Sequence, residues 1–185
     1  MNIRLIEKKD LQQLLKFSKK TFTEAFAHLN NPVDFEAHLQ KAFTLEKLEK
    51  EFNTEGVLFY FITQEYAFAD DAETIIGFLK LNIASFPDST TVFCTDFNHK
   101  KEDLLEIERI YVDTPYQGKG IAQQLMQKAQ AVACENKCPY IWLGVWNENA
   151  KALRFYEKMG FAKFGQHIFT IGTDDQTDFL MIKNL

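Results

Sequence analysis

The stretch YVDTPYQGKGIAQQLMQKAQ, residues 111–130, decides the fold, because in it a strand passes through a short turn into a helix. The chain has only 8 glycines, and two of them, Gly118 and Gly120, flank Lys119 at this junction. Free backbone N–H groups at a helix start bind anions, and glycine lets an anion approach the backbone closely. The stretch therefore predicts an anion-binding turn, although a plain glycine-rich connection fits the same spacing. Neither a GxxxxGK[ST] loop nor a GxGxxG fingerprint is present.

On either side of this junction, hydrophobic periodicity and turn residues predict further helices and strands. The predicted strands are residues 3–6, 56–65, 74–84, 104–112, 140–145, 161–171 and 178–185. The predicted helices begin after Asp10 or span residues 35–42, 45–52, 118–136 and 149–159. Asp10 and Thr44 are the expected N-caps. An acidic turn is expected at 67–73, and a long loop that covers a site at 85–103.

The order of these elements predicts the class of fold. Strand, helix, strand, helix in the second half favours a parallel strand pair with a right-handed crossover, and the last two strands favour an antiparallel hairpin. We therefore expect a mixed α/β (α+β) protein with helices on both faces of its sheet. A chain of 185 residues is expected to form a single domain, residues 1–185.

Composition and charge exclude several classes of protein. A net charge of −5 argues against nucleic-acid binding and suits a small cationic partner. No run of about 18 apolar residues is present, and MNIRLIEKKD does not resemble a secretory signal, so we expect a cytoplasmic protein without a membrane partner. The three cysteines, among them Cys134 and Cys138, have no further ligands at metal spacing. We therefore expect reduced thiols and no metal.

Two segments of the chain together resemble one enzyme family. Gln117-x-x-Gly120-x-Ala122, after a strand that ends in ERIYV, resembles the (Gln/Arg)-x-x-Gly-x-(Gly/Ala) motif of the GCN5-related N-acetyltransferases, the GNAT family. VWNENAKALRFYEKMGF, residues 145–161, resembles a second segment of that family. The resemblance implies the GNAT fold, a central mixed and mostly antiparallel twisted sheet of about six to seven strands. It also implies acetyl-CoA as cosubstrate.

The resemblance extends to the bacterial spermine/spermidine N-acetyltransferases of the PaiA type. The segments that are similar to this group are FTEAF at 22–26, GFLKLN at 77–82, ERIYV at 108–112, YQGKGIA at 116–122 and GQHIFTIGTDDQTDFLMIK at 165–183. This similarity implies that the acceptor is a polyamine such as spermidine or spermine. The sequence leaves a homodimer open.

The family resemblance also assigns contacts with the cosubstrate. Main-chain groups at the end of a strand would pair with the pantetheine arm, the glycine turn would hold the pyrophosphate, and a downstream helix would supply further contacts. The residues in these three groups are Ile110, Tyr111 and Val112; Gln117, Gly118, Lys119, Gly120, Ile121 and Ala122; and Asn149, Tyr156 and Lys158.

Three residues are candidates for the proton transfers of acetylation. Tyr156 matches the family's tyrosine, and its phenol is protonated at neutral pH, so it can donate to the departing thiolate; the alternative is a residue of a buried helix stripe. Glu106 and Glu108 lie on one face of a predicted strand, and adjacent carboxylates are costly to bury unless they are hydrated, paired or catalytic. Glu106 has the spacing of the base in histone-acetylating relatives and Glu108 belongs to ERIYV, so both remain candidates.

The sequence supports three functions with one fold. The first is acetyl transfer to a polyamine, held by carboxylates and aromatic rings along a groove. The second is acetylation of protein N-termini or lysines, and the third is a non-catalytic CoA-binding sensor. The expected acceptor-binding residues are Phe22, Glu24, Phe26, Asp34, Glu36 and Phe86.

Overall fold

The computed structural model describes residues 1–64, 73–88, 91–93, 95, 97–171 and 174–185. The helices are α1 Leu11–Phe26, α2 Pro32–Ala42, α3 Leu45–Phe52, α4 Ile121–Glu135 and α5 Ala150–Lys158. The strands are β1 Asn2–Leu5, β2 Val57–Gln64, β3 Thr74–Ile83, β4 Val92–Phe93, β5 Leu104–Val112, β6 Tyr140–Trp146, β7 Ala162–Ile171 and β8 Asp174–Asn184. The acidic turn expected at 67–73 lies outside the described residues, apart from Glu73.

Within the described residues, eight strands are hydrogen bonded in the order β1-β2-β3-β5-β6-β8-β7-β4. β5 and β6 pair in parallel, whereas β1–β2, β4–β7, β6–β8 and β7–β8 are antiparallel. The predicted parallel pair and terminal hairpin are thus confirmed. The sheet exceeds the expected strand number because Val92 and Phe93, inside the loop predicted at 85–103, pair with Gln166 and Gly165 of β7.

The backbone divides into two compact units, and the first comprises residues 1–81 and 109–128. Its core is aromatic and aliphatic, and it draws on α1, α3 and the strands β2 and β3. The buried residues of this core are Ile6, Leu11, Leu14, Phe17, Leu48, Phe59, Phe61 and Phe78. Phe17 meets Phe78 edge-on, with ring centroids 6.1 Å apart. The expected organisation as one domain stays a prediction.

The second unit comprises residues 82–108 and 129–185. Its core on one face of the sheet is formed by Leu104, Trp142, Phe164 and Leu180, one from each of β5, β6, β7 and β8. Phe97 stacks on Phe164 with ring centroids 4.5 Å apart. Phe97, from the segment predicted as a loop at 85–103, therefore packs onto this face of the sheet, and the prediction that the loop covers a site stays a prediction.

The helix starts show which local predictions hold. Thr44 caps α3 as predicted, since its Oγ1 accepts a hydrogen bond from the backbone N–H of Lys47 at 3.3 Å. Asp10 precedes α1, but its carboxylate makes no cap hydrogen bond to that helix. It accepts instead from the backbone N–H of Glu7 at 2.9 Å and pairs with Arg4 at 2.7 Å. The predicted N-cap position of Asp10 is confirmed, but its side chain makes no capping hydrogen bond because the charged Arg4 is a stronger partner.

The glycine junction begins its helix later than predicted. The prediction placed the helix at 118–136, whereas α4 begins at Ile121. Gly118 and Gly120 have φ angles of 74° and 82°. These values lie in the left-handed region, which a right-handed α-helix does not contain. The two glycines therefore belong to the turn, and the helix starts directly after them.

A buried ion cluster fixes the orientation of β5. Lys80 is 3% exposed and donates to Glu51 at 2.9 Å, and Arg109 makes two hydrogen bonds to the same carboxylate at 2.9 and 3.0 Å. Burial alone would raise the pKa of Glu51, but the hydrogen bonds from Arg109 and Lys80 outweigh it and lower that pKa. Since Arg109 points towards α3, the neighbouring Glu108 points to the other face of β5.

Candidate functional site

The turn before α4 offers backbone groups to a ligand. A Cβ atom added at Gly118 or Gly120 would meet nothing within 4 Å, so both positions face open space. Gly120 already accepts a hydrogen bond from the N–H of Gln124 at 3.2 Å, so it stands at the helix entry. The first N–H groups of α4 have no partner within their own helix. A compact anion such as a pyrophosphate fits these observations.

Two side chains beside this turn are held in place locally. The Nε2 of Gln117 donates to the carbonyl of Val112 at 3.2 Å, which ties the turn to the end of β5. The ammonium group of Lys119 lies 5.4 Å from the ring centroid of Tyr116. Both side chains are exposed, so a positive charge accompanies the free backbone groups.

The end of β5 presents its main chain in an alternating pattern. The N–H of Asp113 donates to the carbonyl of Ile76 in β3 at 2.9 Å. Because successive residues of a strand turn their polar groups to opposite edges, Val112 and Ile110 direct theirs away from β3. The β5–β6 register consists of three pairs and ends at Glu106 with Trp142, although β5 continues to Val112. This arrangement suits pairing of the strand with an extended ligand.

A glycine of β3 allows a close approach of the same strand end. A Cβ atom added at Gly77 would lie 2.8 Å from the carbonyl oxygen of Tyr111 and 2.9 Å from a methyl of Ile62. A side chain at this position would therefore displace the backbone of Tyr111. The ring of Tyr111 stacks on Phe78 with centroids 5.5 Å apart, so β5 is held from two sides.

The two glutamates of β5 share one hydrogen-bond donor. The Nδ2 of Asn82 donates to Glu106 at 2.8 Å and to Glu108 at 2.7 Å, which uses both of its protons. The Oγ of Ser85 donates to the same oxygen of Glu106 at 2.7 Å. The prediction that both carboxylates lie on one face is confirmed. Asn82 and Ser85 are uncharged donors, so these hydrogen bonds bring no positive charge to the two carboxyl groups.

Exchange of the shared donor for a carboxylate is expected to destabilise the protein. The Asn82→Asp variant replaces two charge-assisted hydrogen bonds by repulsion between three carboxylates, and we expect the free energy of unfolding at pH 7 to fall by about 2 kcal/mol. The repulsion raises the carboxyl pKa values in the folded state, so the loss should shrink as the pH falls towards 5. Urea unfolding at both pH values measures this. The exposed Asn98→Asp variant is the control, and an equal, pH-independent loss in both would contradict the expectation.

The predicted tyrosine lies on a short, capped helix. The Oδ1 of Asn149 accepts from the N–H of Ala152 at 3.1 Å and so starts α5. Tyr156 is 8% exposed, and its ring contacts Phe155 and Phe161 at centroid distances of 5.3 and 5.9 Å. Tyr156 thus packs in the buried helix stripe that is the alternative to a catalytic role. Packing of the ring does not prevent the hydroxyl from acting as a donor. Lys158 is exposed.

The residues expected to bind the acceptor fall into separate places. Glu24 accepts a hydrogen bond from Thr114 at 2.7 Å, and Glu36 accepts one from Gln40 at 3.2 Å. Asp34 lies in the first turn of α2. Phe22 stacks on Phe35 at 5.7 Å and also contacts Phe26 at 4.8 Å, within the first unit. Phe86 belongs to the second unit and meets Phe97 edge-on at 5.5 Å.

A histidine and an aspartate on the last hairpin form a pair that the sequence analysis did not single out. The Nε2 of His167 in β7 lies 3.6 Å from the Oδ2 of Asp178 in β8, and their side chains are 20% and 22% exposed. The close contact with Asp178 is the main cause that raises the pKa of His167, burial opposes it, and the charges of Asp178, Asp88 and Glu106 add to the rise. The available signal was the tail segment at 165–183, in which both residues stand.

Among the described residues there is no cluster of three or more His, Cys, Asp or Glu side chains that could hold a metal. Cys134 and Cys138 carry free thiols, and burial raises the pKa of Cys138. None of the helices in the described ranges has the length and apolar character that crossing a membrane requires.

The glycine turn, the strand end beside it and the mixed sheet define a protein of the N-acetyltransferase class. The family model described as "Acetyltransferase (GNAT) family" matches residues 20–161, and the chain belongs to this family. It is therefore an acyltransferase that takes its acetyl group from acetyl-CoA and delivers it to an amine.

Two relatives illustrate how far the similarity reaches. An uncharacterised N-acetyltransferase of Lactobacillus delbrueckii subsp. lactis is 35% identical over 97% of this chain and 95% of that protein. The spermine/spermidine N(1)-acetyltransferase of Bacillus subtilis (strain 168) is 33% identical over 67 residues, which are 36% of this chain and 44% of that protein.

Solved structures share the fold. The PaiA N-acetyltransferase of Thermoplasma acidophilum, solved with coenzyme A, aligns over all of both chains with a TM-score of 0.68 and 22% identity. A ribosomal-protein-alanine N-acetyltransferase of Brucella melitensis aligns over all of both chains with a TM-score of 0.68 and 18% identity. At these identities the likeness supports the mixed α/β GNAT fold and not a choice of acceptor.

Proposed function

We propose that the protein is a cytoplasmic enzyme that acetylates a primary amine of a small cationic acceptor, a polyamine such as spermidine or spermine. The observation that carries this proposal is the pair Glu106 and Glu108, two carboxyl groups on one face of β5 that share the uncharged donor Asn82. A polyamine carries several ammonium groups along its length, and such a cation is attracted to a site that contains two carboxyl groups. The chain's net charge of −5 and the partial similarity to a spermine/spermidine acetyltransferase support the same acceptor.

The cosubstrate is proposed to bind along β5 and the turn before α4. Main-chain groups of Ile110 and Val112 would pair with its pantetheine arm, because they point away from β3 and the strand end extends beyond the β6 register. The carbonyl of Tyr111, between them, faces β3, so Tyr111 would support the strand and not pair with the arm. The turn would hold its pyrophosphate with backbone N–H groups and the charge of Lys119. The turn residues proposed for this contact are Gln117, Gly118, Lys119, Gly120, Ile121 and Ala122.

Further contacts are proposed from α5. The Oδ1 of Asn149 is engaged in capping, so its Nδ2 is the group left to donate to the cosubstrate. The exposed Lys158 is placed in the last turn of the same helix and is proposed to meet a phosphate of CoA.

The amine must be neutral before it attacks. At pH 7 a primary amine with a pKa near 10.4 is uncharged in about one molecule of 2,500, which corresponds to roughly 4.6 kcal/mol. Glu106 and Glu108 are weak bases for such an ammonium ion, so we propose that they hold the cation and order water for proton removal. The neutral nitrogen then attacks the acetyl carbonyl directly in a ternary complex, and the bond from that carbon to sulfur breaks.

The leaving group is proposed to gain its proton from Tyr156. The phenol of a tyrosine has a pKa near 10, so it is protonated at neutral pH and can donate to a thiolate. Tyr156 is buried, and a hydrogen bond is electrostatically stronger in such surroundings than in water. Tyr156 then regains a proton from solvent, and the products are the N-acetylated amine and CoA.

The proposal is tested by release of free CoA from acetyl-CoA with a panel of acceptors. The panel contains spermine, spermidine, simple monoamines and peptides with free N-termini or lysines. We expect spermidine and spermine to give the highest kcat/KM, because they carry several charges for the acidic site. If no amine stimulates release, the proposed function is wrong. If peptides alone stimulate release, the acceptor is a protein and the polyamine assignment is wrong.

A further inference from the structure

We propose that His167, oriented by Asp178, is the group that accepts the proton lost by the acceptor's ammonium ion. This inference rests on the proposed acetylation of an amine and adds the base that the two glutamates of β5 do not supply. His167 would touch the reacting nitrogen directly or through one water, and Asp178 would act through His167.

The strand registers place the histidine on the face that carries the acidic pair. Glu106 of β5 pairs with Trp142 of β6, and Trp146 of β6 pairs with Asp178 of β8. Asp178 in turn pairs with His167 of β7. Paired residues of neighbouring strands project to the same face, and so do alternate residues of one strand. Glu106, Asp178 and His167 therefore belong to one face of the sheet within the second unit.

A glycine stands directly beside the pair. Gly144 stands between Trp142 and Trp146 on β6 and is exposed. A Cβ atom added there would lie 3.8 Å from the Oδ2 of Asp178 and 4.0 Å from the Cε1 of His167. These are ordinary contact distances, so the fold does not require glycine at this position. Because Gly144 has no side chain, nothing beyond its backbone covers the imidazole from this position.

Residues 85–88, which precede β4, contribute further polar groups to this site. The Oγ of Ser85 bonds Glu106 at 2.7 Å, and its carbonyl accepts from the indole N–H of Trp142 at 2.8 Å. These bonds fix the start of the segment over the acidic face. Asp88 follows three residues later and is close enough to act on the charge of His167. The segment thus adds a carboxylate to the site.

The charges around His167 make it a better base and attract a cation. Asp178 of β8, Asp88 of the segment before β4 and Glu106 of β5 all raise its pKa above the usual 6.5. The pKa of an unperturbed imidazole is about two units closer to that of an amine than the pKa of a glutamate is. Transfer of a proton from the ammonium ion to an imidazole is therefore roughly 100-fold less unfavourable than transfer to a glutamate. The 20% exposure of the side chain leaves it accessible to substrate.

The proposed step balances its protons. Neutral His167 takes one proton from the ammonium ion, and the lone pair that is freed forms the bond to the acetyl carbon. The carbon–sulfur bond breaks, and the thiolate is protonated by Tyr156. The second proton on nitrogen leaves as the amide forms and replaces the one that Tyr156 gave, by way of solvent. The imidazolium returns its proton to solvent, so one proton is released for each ammonium ion acetylated.

The test compares pH profiles of kcat and kcat/KM for spermidine in three variants. His167→Gln is expected to lower kcat at pH 7 about tenfold, less than the usual 10²–10⁴ for acid–base catalysis because Glu106 and water remain as weaker acceptors. The loss should diminish at high pH, where the amine is itself neutral. In the wild-type protein the rate should rise with pH on the acidic side of the profile as His167 loses its proton. This acidic limb should disappear in His167→Gln. His28→Gln, at an exposed histidine, is the control and should keep the wild-type profile.

The Asp178→Asn variant distinguishes loss of the oriented His167 side chain from damage to the fold. Without the carboxylate the pKa of His167 falls, so the acidic limb should move to lower pH and the plateau should fall. An NMR titration of the imidazole checks the shift independently of turnover. An unchanged kcat and pH profile in His167→Gln would overturn the role of His167 and leave the proposed function intact. If wild-type protein acetylates no amine at all, it is the proposed function that fails.

Discussion

Replacement of Tyr156 by phenylalanine is expected to lower kcat about 100-fold and to leave the dissociation constant of acetyl-CoA unchanged. The ring keeps its contacts with Phe155 and Phe161, so packing is preserved and the hydroxyl alone is lost. General acid catalysis by one side chain contributes 10²–10⁴-fold, and a thiolate is a tolerable leaving group without a proton, so we expect about the lower end of this range. A 100-fold loss corresponds to about 2.7 kcal/mol of transition-state stabilisation.

The control for this experiment is Tyr140→Phe, which removes a phenol hydroxyl from β6 outside the proposed machinery. It should retain wild-type kcat. Turnover is measured by CoA release with spermidine, and acetyl-CoA binding by calorimetry. A Tyr156→Phe protein that binds acetyl-CoA weakly but turns over at the wild-type rate would show that the hydroxyl binds cosubstrate and does not donate a proton.

Replacement of Gly120 by valine is expected to weaken acetyl-CoA binding on the order of 100-fold, or about 2.7 kcal/mol. Gly120 has a φ of 82°, where an L-residue pays roughly 1–2 kcal/mol and a β-branched residue pays more. In the free Gly120→Val protein the turn should relax away from this conformation. Acetyl-CoA binding must then restore the conformation, which weakens the affinity. The added side chain would also occupy the open space that the pyrophosphate is proposed to fill.

Gly56→Val is the matched control, because Gly56 has a φ of 80° in the turn before β2. Both variants should lose comparable stability in urea unfolding, since both carry the same backbone strain. Only Gly120→Val should lose affinity for acetyl-CoA. Equal affinities in the two variants would mean that the turn before α4 is a structural connection and that the pyrophosphate binds elsewhere.

Local signals in the sequence predicted most of the elements. Thr44 and the apolar spacing that follows it are sufficient to place α3, because a cap and an amphipathic repeat act within one helix. The start of α4 was placed too early, because glycine is compatible with a helix and with a left-handed turn, and only the backbone angles distinguish them. The two-residue strand β4 was missed because its pairing with β7 depends on a distant partner and not on its own pattern.

The candidate site also contains residues that local sequence patterns predict and residues that they do not predict. Glu106 and Glu108 could be assigned to one face from strand alternation alone. Their donor Asn82 lies more than twenty residues away on another strand, so no local pattern connects them. His167 and Asp178 meet through the register of the last hairpin, and the sequence predicts this hairpin but not its register. Residues that depend on long-range register are therefore those that sequence reasoning missed.

The most direct test of this account is the mass of the products formed from acetyl-CoA and spermidine. Wild-type protein is expected to yield acetylspermidine in an amount equal to the CoA released, with only a trace from Tyr156→Phe in the same time. CoA release without acetylspermidine, or acetylation confined to peptide substrates, would contradict the claim that this acetyltransferase acts on a polyamine.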